Sequence, residues 1–248
     1  MYLEIAKMAW YSLVSNKVRS LLSILGIVIG VSTVIVVVGI GTGAKKQIED
    51  QYKNLNATQI MVMGMMGRGA ITNTKLSASD ADVIRQKVGD VSDTTAFVFG
   101  DDSISYEKES SSLSIFGVHY NFFDITNLDL LSGRLLIEED NENRSKVAVV
   151  GYGVIETLFG EDYEPSQAVG QTITVSGKKV DIVGVLAENG GSAMGRMSYD
   201  DAVYMPYLTA DKIILGGNAQ TTIVILMNSV DDVETGMDDI TEVLRAEH

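Results

Sequence analysis

The pattern of apolar and polar positions divides the chain into one long apolar stretch and a region of short alternating segments. No charged residue occurs between Arg19 and Lys45. Within this stretch, 14 of the 20 positions from Leu21 to Ile40 are Leu, Ile or Val. A 20-residue helix is about 30 Å long, which matches the hydrocarbon thickness of a bilayer. The pattern therefore predicts a transmembrane helix over residues 20–43, with the lipid bilayer as its partner.

A buried core helix and a signal peptide both fit the length of this stretch less well. A buried core helix seldom contains more than about 14 consecutive apolar residues. The apolar part of a cleaved signal peptide is about 7–15 residues long and lies closer to the N-terminus. A retained membrane span is the interpretation that we prefer.

The segment before the span also has helical periodicity. In residues 1–19, Leu3, Ala6, Trp10 and Leu13 recur every three or four positions. This spacing predicts an interfacial amphipathic helix with Trp10 at the level of the lipid headgroups. A frayed terminus is the alternative.

Two further helical stripes follow the span, one directly after it and one at the end of the chain. The first runs from Ala44 to Leu55 and the second from Val233 to Leu244. Such stripes are typical of amphipathic helices. We expect the first to extend the span out of the membrane as a stalk and the second to pack against it. The residues predicted to form this stalk packing are Ile48, Tyr52, Leu55, Met237, Ile240 and Leu244.

The region between the stripes has the pattern of a mixed α and β domain. Ser77 and Asp80 can cap a helix, and Ser176-Gly177 is a hairpin signal between two apolar runs. The fold class predicted is α+β, with one N-terminal transmembrane helix and its stalk followed by a mixed α/β domain. The predicted strands are Gln59–Met63, Thr95–Phe99, Leu113–Val118, Val147–Val150, Thr172–Val175, Val180–Val185 and Thr221–Met227.

Composition and charge exclude several function classes. The net charge is −14, and residues 42–248 contain 16 bases and 32 acids, which gives −16. A protein that binds nucleic acid generally needs a basic face, so no nucleic-acid partner is expected. The chain has no cysteine and two histidines, which excludes disulfides and thiolate metal sites and argues against histidine-based catalysis.

Two glycine motifs resemble nucleotide-binding loops but are incomplete. Gly151-Tyr-Gly153 follows an apolar run, yet Glu156 occupies the position of the third glycine of a dinucleotide-binding turn. A tight strand-to-helix turn is the preferred interpretation. Near Lys178, Thr172 stands where a Walker A loop requires its first glycine. We therefore expect neither an ATPase activity nor a bound cofactor in this chain.

The remaining candidate sites are also weak. Three acidic clusters lack the alternating spacing of a calcium loop: Asp101-Asp102, Glu138-Glu139-Asp140 and Asp200-Asp201. Solvated turns are therefore the simpler interpretation, and no metal is expected. In the span, Gly26 and Gly30 form a G-x-x-x-G pattern, which would let a second helix approach closely. Chance is the alternative, because glycine is common in spans.

Taken together, these segments resemble the MacB/FtsX-type ABC transporter permeases, in the variety with a MacB-like periplasmic core domain. The resemblance covers nearly the whole chain, in the order of that family. It is carried by Arg19–Val31, Ser132-Gly133-Arg134, Val147–Gly151, Leu158-Phe159-Gly160, Val169-Gly170-Gln171, Val183-Gly184-Val185, Tyr204-Met205-Pro206 and Val243–His248.

The resemblance implies an architecture and a topology. It implies a porter-like α/β subdomain with stalk helices from residues 44–112 and 205–248, and an inserted β-rich subdomain over residues 113–204. Basic residues flank the span on both sides, so the positive-inside rule leaves the orientation open. The resemblance places the N-terminus in the cytoplasm and residues 44–248 outside the cell membrane.

The resemblance also implies partners: a separate or fused ABC ATPase, a second permease copy and an extracytoplasmic adaptor in some relatives. A second span would follow where this sequence ends, so the chain is expected to be part of a permease or the product of a shortened gene. The function expected first is a permease that couples ATP hydrolysis to export or extraction of a substrate. The alternative is a single-span membrane-tethered binding or sensor domain. An enzyme is the weakest possibility.

Overall fold

A computed structural model describes residues 4–5, 7–8, 15–54, 58–64, 76–160, 162–193, 197–217 and 219–248. The chain forms two compact units, Met1–Leu55 and Asn56–His248. Most of the predicted interfacial helix, including Trp10, lies outside the described residues.

The first unit is dominated by one continuous helix, α1, from Lys17 to Asn54. It includes the apolar window Ser20–Gly43, which is long and apolar enough to cross a membrane. Proline, the strongest helix breaker, does not occur in α1. In an apolar solvent every backbone group must be satisfied internally, which favours a helix along this window. The helix continues for eleven residues beyond Gly43, as the stalk hypothesis predicts for the backbone.

The second unit is a mixed α/β domain with helices on a large sheet. Its helices are α2 (Ala78–Lys87), α3 (Phe122–Thr126), α4 (Glu138–Glu142), α5 (Tyr152–Phe159), α6 (Pro165–Ala168), α7 (Tyr207–Thr209, continuing as a π-helix over Ala210–Ile214) and α8 (Val233–Glu247). Its strands are β1 (Gln59–Met63), β2 (Val91–Tyr106), β3 (Glu109–Val118), β4 (Leu130–Gly133), β5 (Val147–Val150), β6 (Thr172–Val175), β7 (Lys178–Leu186), β8 (Ser192–Ala193), β9 (Met197–Ser198), β10 (Ala202–Pro206) and β11 (Thr221–Met227).

Six strands of the described sheet close into a mixed barrel. The strand order is β1-β11-β2-β3-β10-β5-β7-β4, and β6 pairs with both β2 and β7. The cycle β2-β3-β10-β5-β7-β6 is therefore complete. Two of its pairs, β3 with β10 and β5 with β7, are parallel, and the other four are antiparallel. Closure removes most open strand edges, while β1 with β11 and β4 extend the sheet beyond the barrel.

The strands alternate between two apolar clusters because successive side chains point to opposite faces. The larger cluster contains Ile115, Val203 and Ile182, together with α2, α5 and α8. The second cluster lies on the other face and is rich in aromatic residues. Phe116 and Tyr204 stack there at 5.5 Å between ring centroids, and α3 covers them with Phe122 and Phe123.

The predicted fold class is confirmed, and all seven predicted strands are present. Four of them, β1, β5, β6 and β11, have the predicted bounds. At the β6–β7 hairpin, Ser176 and Gly177 have φ of 50° and 73°, the positive values that a tight hairpin turn requires. The sheet runs through residues 113–204 and the segments that flank them, and the division into two subdomains stays a prediction.

Candidate functional site

The apolar window of α1 is exposed along its length in the described structure. No residue of the window is buried inside the protein. A Cβ atom added to Gly26 or Gly30 would meet no atom within 4 Å, apart from the backbone of its own helix turn. The face that contains both glycines can therefore accept a neighbouring helix, as the G-x-x-x-G pattern requires. Whether a second span packs there stays a prediction.

The first stalk stripe is described only in its backbone. Ile48 and Tyr52 lie in the helical backbone of α1, and their side chains lie outside what the structure describes. Leu55 lies outside the described residues altogether.

The second stripe, on α8, is described in full and faces its own domain. Ile240 is only 3% exposed and belongs to the larger apolar cluster, and Leu244 is partly buried against it. Met237, in contrast, is 47% exposed. The residue that faces the domain at this level is Gly236. The buried stripe therefore runs through Val233, Gly236, Ile240, Val243 and Leu244.

Gly236 allows α8 to lie close to the sheet. A Cβ atom at this position would be 2.5 Å from Met227 Cε, 3.1 Å from Met227 Sδ and 3.5 Å from Ile60 Cδ1. Met227 lies on β11 and Ile60 on β1. The missing side chain thus brings α8 against the strand that follows the α1 segment in sequence.

The last turn of α8 is attached to α2 by polar contacts. Lys87 and Glu247 form an ion pair. The Nε2 atom of His248 lies 3.2 Å from Oδ2 of Asp80. The same Oδ2 atom accepts a hydrogen bond of 2.8 Å from the backbone N–H of Ser77, so the carboxylate that caps α2 also holds the end of α8.

The Gly151-Tyr-Gly153 turn is filled by protein atoms. A Cβ atom at Gly151 would lie 2.3 Å from the carbonyl oxygen of Asp200, and one at Gly153 would lie 2.3 Å from Oδ1 of Asp201. The backbone N–H of Val154 donates to the Asp200 carbonyl. The N-terminus of α5 therefore packs on the chain before β10, and the glycines serve this close approach rather than a phosphate.

A half-buried ion pair stabilises the segment after β4. Arg134 donates to both carboxylate oxygens of Asp140, at 2.6 and 3.1 Å, and the backbone N–H of Ile137 also donates to Asp140. Burial raises the pKa of Asp140, but the hydrogen bonds from Arg134 and Ile137 and the Arg134 charge outweigh it and hold the pKa below its ordinary value. The pair orders a turn, and the Asp140 carboxylate is occupied by these three donors.

His119 is packed against an aromatic side chain. Its ring stacks on Tyr207 at 4.9 Å between centroids. Burial lowers the pKa of His119, although the charge of Asp82 opposes this effect. The Tyr207 hydroxyl shares a hydrogen bond of 3.0 Å with Thr221.

The acidic clusters are used locally. Asp101 accepts a hydrogen bond from Ser114, and Asp200 accepts the backbone N–H groups of Asn189 and Gly190. Among the described residues, no group of three or more His, Cys, Asp or Glu side chains converges as a metal site would require.

Sequence reasoning did not find the contacts that hold α8. Gly236 was not part of the predicted apolar stripe, although a glycine inside an amphipathic helix can mark close packing. Asp80 and His248 are 168 positions apart, and no local pattern connects them.

Comparison with known proteins relates the chain to one family along most of its length. The family model of the MacB-like periplasmic core domain matches residues 20–243. The macrolide export ATP-binding/permease protein MacB of Bdellovibrio bacteriovorus is 30% identical over 244 residues, which is 96% of this chain and 36% of that protein. The protein of the same name from Chlorobaculum tepidum is 30% identical over 97% of this chain and 37% of its own length. The chain thus spans about a third of these relatives, and the matched part does not include their ATPase region.

Two solved structures have the same fold. The periplasmic region of MacB from Actinobacillus actinomycetemcomitans has a TM-score of 0.63 at 20% identity, with 79% of this chain and 86% of that chain covered. The extracellular domain of the noncanonic ABC-type transporter YknZ from Gram-positive bacteria has a TM-score of 0.62 at 18% identity, with 77% and 94% covered. An apolar helix long enough to span a membrane, followed by a domain of this kind, indicates a membrane-anchored extracytoplasmic domain. On the match over residues 20–243, the chain belongs to the family of the MacB-like periplasmic core domain.

Proposed function

We propose that this chain is part of the membrane subunit of a MacB-type ABC transporter. Its domain lies outside the membrane and changes position when a partner ATPase hydrolyses ATP in the cytoplasm. This movement exports or extracts a substrate. The N-terminus then lies in the cytoplasm and residues 44–248 lie outside. A second permease copy packs against the span at Gly26 and Gly30, and an extracytoplasmic adaptor is a further partner.

The observation that carries the proposal is the continuity of α1. The helix runs from Lys17 to Asn54, from one side of the apolar window to eleven residues beyond it. Its 38 residues correspond to about 57 Å at 1.5 Å per residue. A helix without a break can transmit a displacement along its axis, whereas a flexible linker would absorb it.

The family match supports the same function, although the matched part of the relatives does not include their ATPase region. The curated relatives are named for both ATP binding and macrolide export, and this chain corresponds to about a third of them. The chain contains no complete phosphate-binding motif, and the glycine turn at Gly151 is filled by protein atoms. ATP hydrolysis is therefore assigned to a partner subunit or to another part of a longer chain.

The experiment uses the absence of cysteine from this chain, with any cysteine in the rest of the gene product replaced by serine. Lys108, at the exposed tip of the β2–β3 hairpin, is replaced by Cys in the full-length gene product and spin-labelled. The protein is purified with the ATPase encoded beside it and placed in lipid nanodiscs. We expect the label-to-label distance between two copies to change between the nucleotide-free and ATP-bound states.

A helix-breaking variant tests the role of α1. Gln47→Pro interrupts the helix after the span at a cost of about 3 kcal/mol, while Gln47→Ala preserves it. We expect Gln47→Pro to keep ATP hydrolysis and lose the ATP-dependent distance change, and Gln47→Ala to retain both. No distance change in the unmodified helix, with the ATPase bound and active, would overturn the proposal. A distance change that follows an added ligand and needs no ATPase would instead indicate a tethered binding or sensor domain.

A further inference from the structure

Helix α8 is attached to the domain at two levels, by an apolar stripe and by polar contacts of its last turn. The first level is the apolar stripe that continues to Leu244, and within it Gly236 lies close to Met227 and Ile60. The second is its last turn, where Glu247 and His248 contact α2. The stretch from Gly236 to His248 corresponds to about 18 Å along a helix.

Two separated attachments fix a direction, which one attachment cannot do. The apolar stripe holds α8 against the domain from Val233 to Leu244, and the last residues of the helix lie beyond it. The contacts of Glu247 and His248 extend the attachment to about 18 Å from Gly236, where a small rotation would move the end of the helix by several ångströms. The polar contacts at the end of α8 are therefore the ones that fix the direction of its last turn.

The two polar contacts differ in strength. Lys87 and Glu247 have side chains that are 53% and 36% exposed, and exposed ion pairs contribute little to stability. The Asp80 side chain is 8% exposed and that of His248 is 27% exposed. Asp80 is also held in place by the backbone N–H of Ser77, so its carboxylate is already oriented when His248 arrives. The Asp80–His248 contact is the stronger constraint.

We infer that Asp80 and His248 are positioning residues: their contact sets the direction in which α8 leaves the domain. The inference rests on the proposed function, in which this chain is part of a longer membrane subunit. The domain and the exit of α8 then move as one body, and the start of α2 becomes part of the path of movement. The contact acts through geometry and needs no ligand or metal.

The first test measures the contact itself in the full-length gene product in nanodiscs, without the ATPase. His248→Phe keeps a ring and removes the donor, whereas His248→Gln keeps an N–H group near the position of Nε2. We expect the backbone amides in the last turn of α8 to exchange hydrogen about fivefold faster in His248→Phe, the size of effect that one lost hydrogen bond produces. His248→Gln should restore most of the protection.

Two further variants make the test specific. Asp80→Asn combined with His248→Phe should exchange no faster than His248→Phe alone, because both substitutions remove the same contact. Arg85→Met is the matched control: it breaks the ion pair of Arg85 with Asp93 on the same helix α2 and should leave the exchange of α8 unchanged. Equal exchange rates in the wild type and His248→Phe would overturn the inference.

The second test measures positioning, with the Lys108→Cys label and the ATPase present. We expect His248→Phe to broaden or abolish the ATP-dependent distance change and His248→Gln to restore it. A normal distance change in His248→Phe would overturn the positioning role even if exchange is faster. If the wild type itself does not respond to ATP, the proposed function fails, and the exchange experiment still decides whether the contact holds α8.

Discussion

The apolar window of α1 and the six-stranded barrel use similar side chains in opposite surroundings. In α1, Leu21 and Ile35 are 67% and 65% exposed within the protein. In the barrel, Ile115 and Val203 are completely buried. The difference lies in the length of the apolar run: the 24-residue window of α1 belongs to one continuous helix, whereas β3 and β10 are strands of ten and five residues whose two faces lie in two apolar clusters of the domain. The same residue types are thus exposed in a helix that is long and apolar enough to cross a membrane, and buried in the strands of the barrel.

The largest expected effect comes from the same substitution in both regions. Ile115→Asp places an unpaired carboxylate in the barrel and should cost more than about 4 kcal/mol, so the domain should lose its cooperative melting transition by circular dichroism. Ile35→Asp should leave that transition unchanged and instead make membrane insertion less favourable by about 3 kcal/mol, seen as a larger soluble fraction. A folded Ile115→Asp domain would contradict the description of the barrel core.

Glycines sharpen the comparison because Gly151 in the domain is crowded, whereas the glycines of the apolar window in α1 have no neighbour within 4 Å of an added Cβ atom. Gly151→Ala would bring Cβ to 2.3 Å from the Asp200 carbonyl oxygen and 2.6 Å from that of Tyr199, so we expect a loss of about 3 kcal/mol in the free energy of unfolding by urea. Gly39→Ala in α1 meets no atom within 4 Å and should change it by less than about 0.5 kcal/mol. Gly89→Ala, which also meets no atom within 4 Å, is the control inside the domain.

Helix α8 has one buried and one exposed apolar side chain within one turn, Ile240 and Met237. Ile240→Ala removes a buried side chain and should lower the free energy of unfolding by about 3 kcal/mol. Met237→Ala removes an exposed side chain and should change it by less than about 0.5 kcal/mol. Chemical denaturation of the two variants side by side checks this, and equal losses would mean that the stripe faces the domain through Met237 after all.

The smallest effect concerns charge, which is absent from the apolar window and forms the Arg134–Asp140 ion pair in the domain. Asp140→Asn should lower stability by about 1 kcal/mol at pH 7, since the exposed part of Arg134 is screened by solvent. The folded-state pKa of Asp140 is below its ordinary value of 3.8, so its contribution is complete above that value and disappears as the pH falls through the lower, folded-state pKa. Melting temperatures of both proteins between pH 7 and pH 2 should therefore converge on the acid side. The exposed Asp238→Asn serves as the control, and a difference that grows on acidification would contradict the assignment.

Much of the fold was predictable because it depends on neighbours in sequence. The bounds of β5, β6 and β11 follow from short apolar runs, and the β6–β7 turn follows from the tolerance of Ser176-Gly177 for positive φ. The cap of α2 follows from the three-residue spacing of Ser77 and Asp80. The phase of the α8 stripe was harder, because Met237 satisfies a helical period as well as Gly236 does. Only the close approach of Met227 decides between them.

The sequence by itself determined the apolar helix, the acidic region after it and the short apolar runs that form the strands, since each of these depends on residues that are close together in the chain. The sequence also shows that the Gly151 motif lacks the third glycine of a dinucleotide-binding turn and that the motif near Lys178 lacks the first glycine of a Walker A loop. The tertiary structure decided the closure of the barrel through β6, the use of Gly151 and Gly153 for close packing, and the attachment of α8 to α2 by Asp80 and His248. These features join positions far apart in the chain, so they exist only once the sheet has brought the segments together.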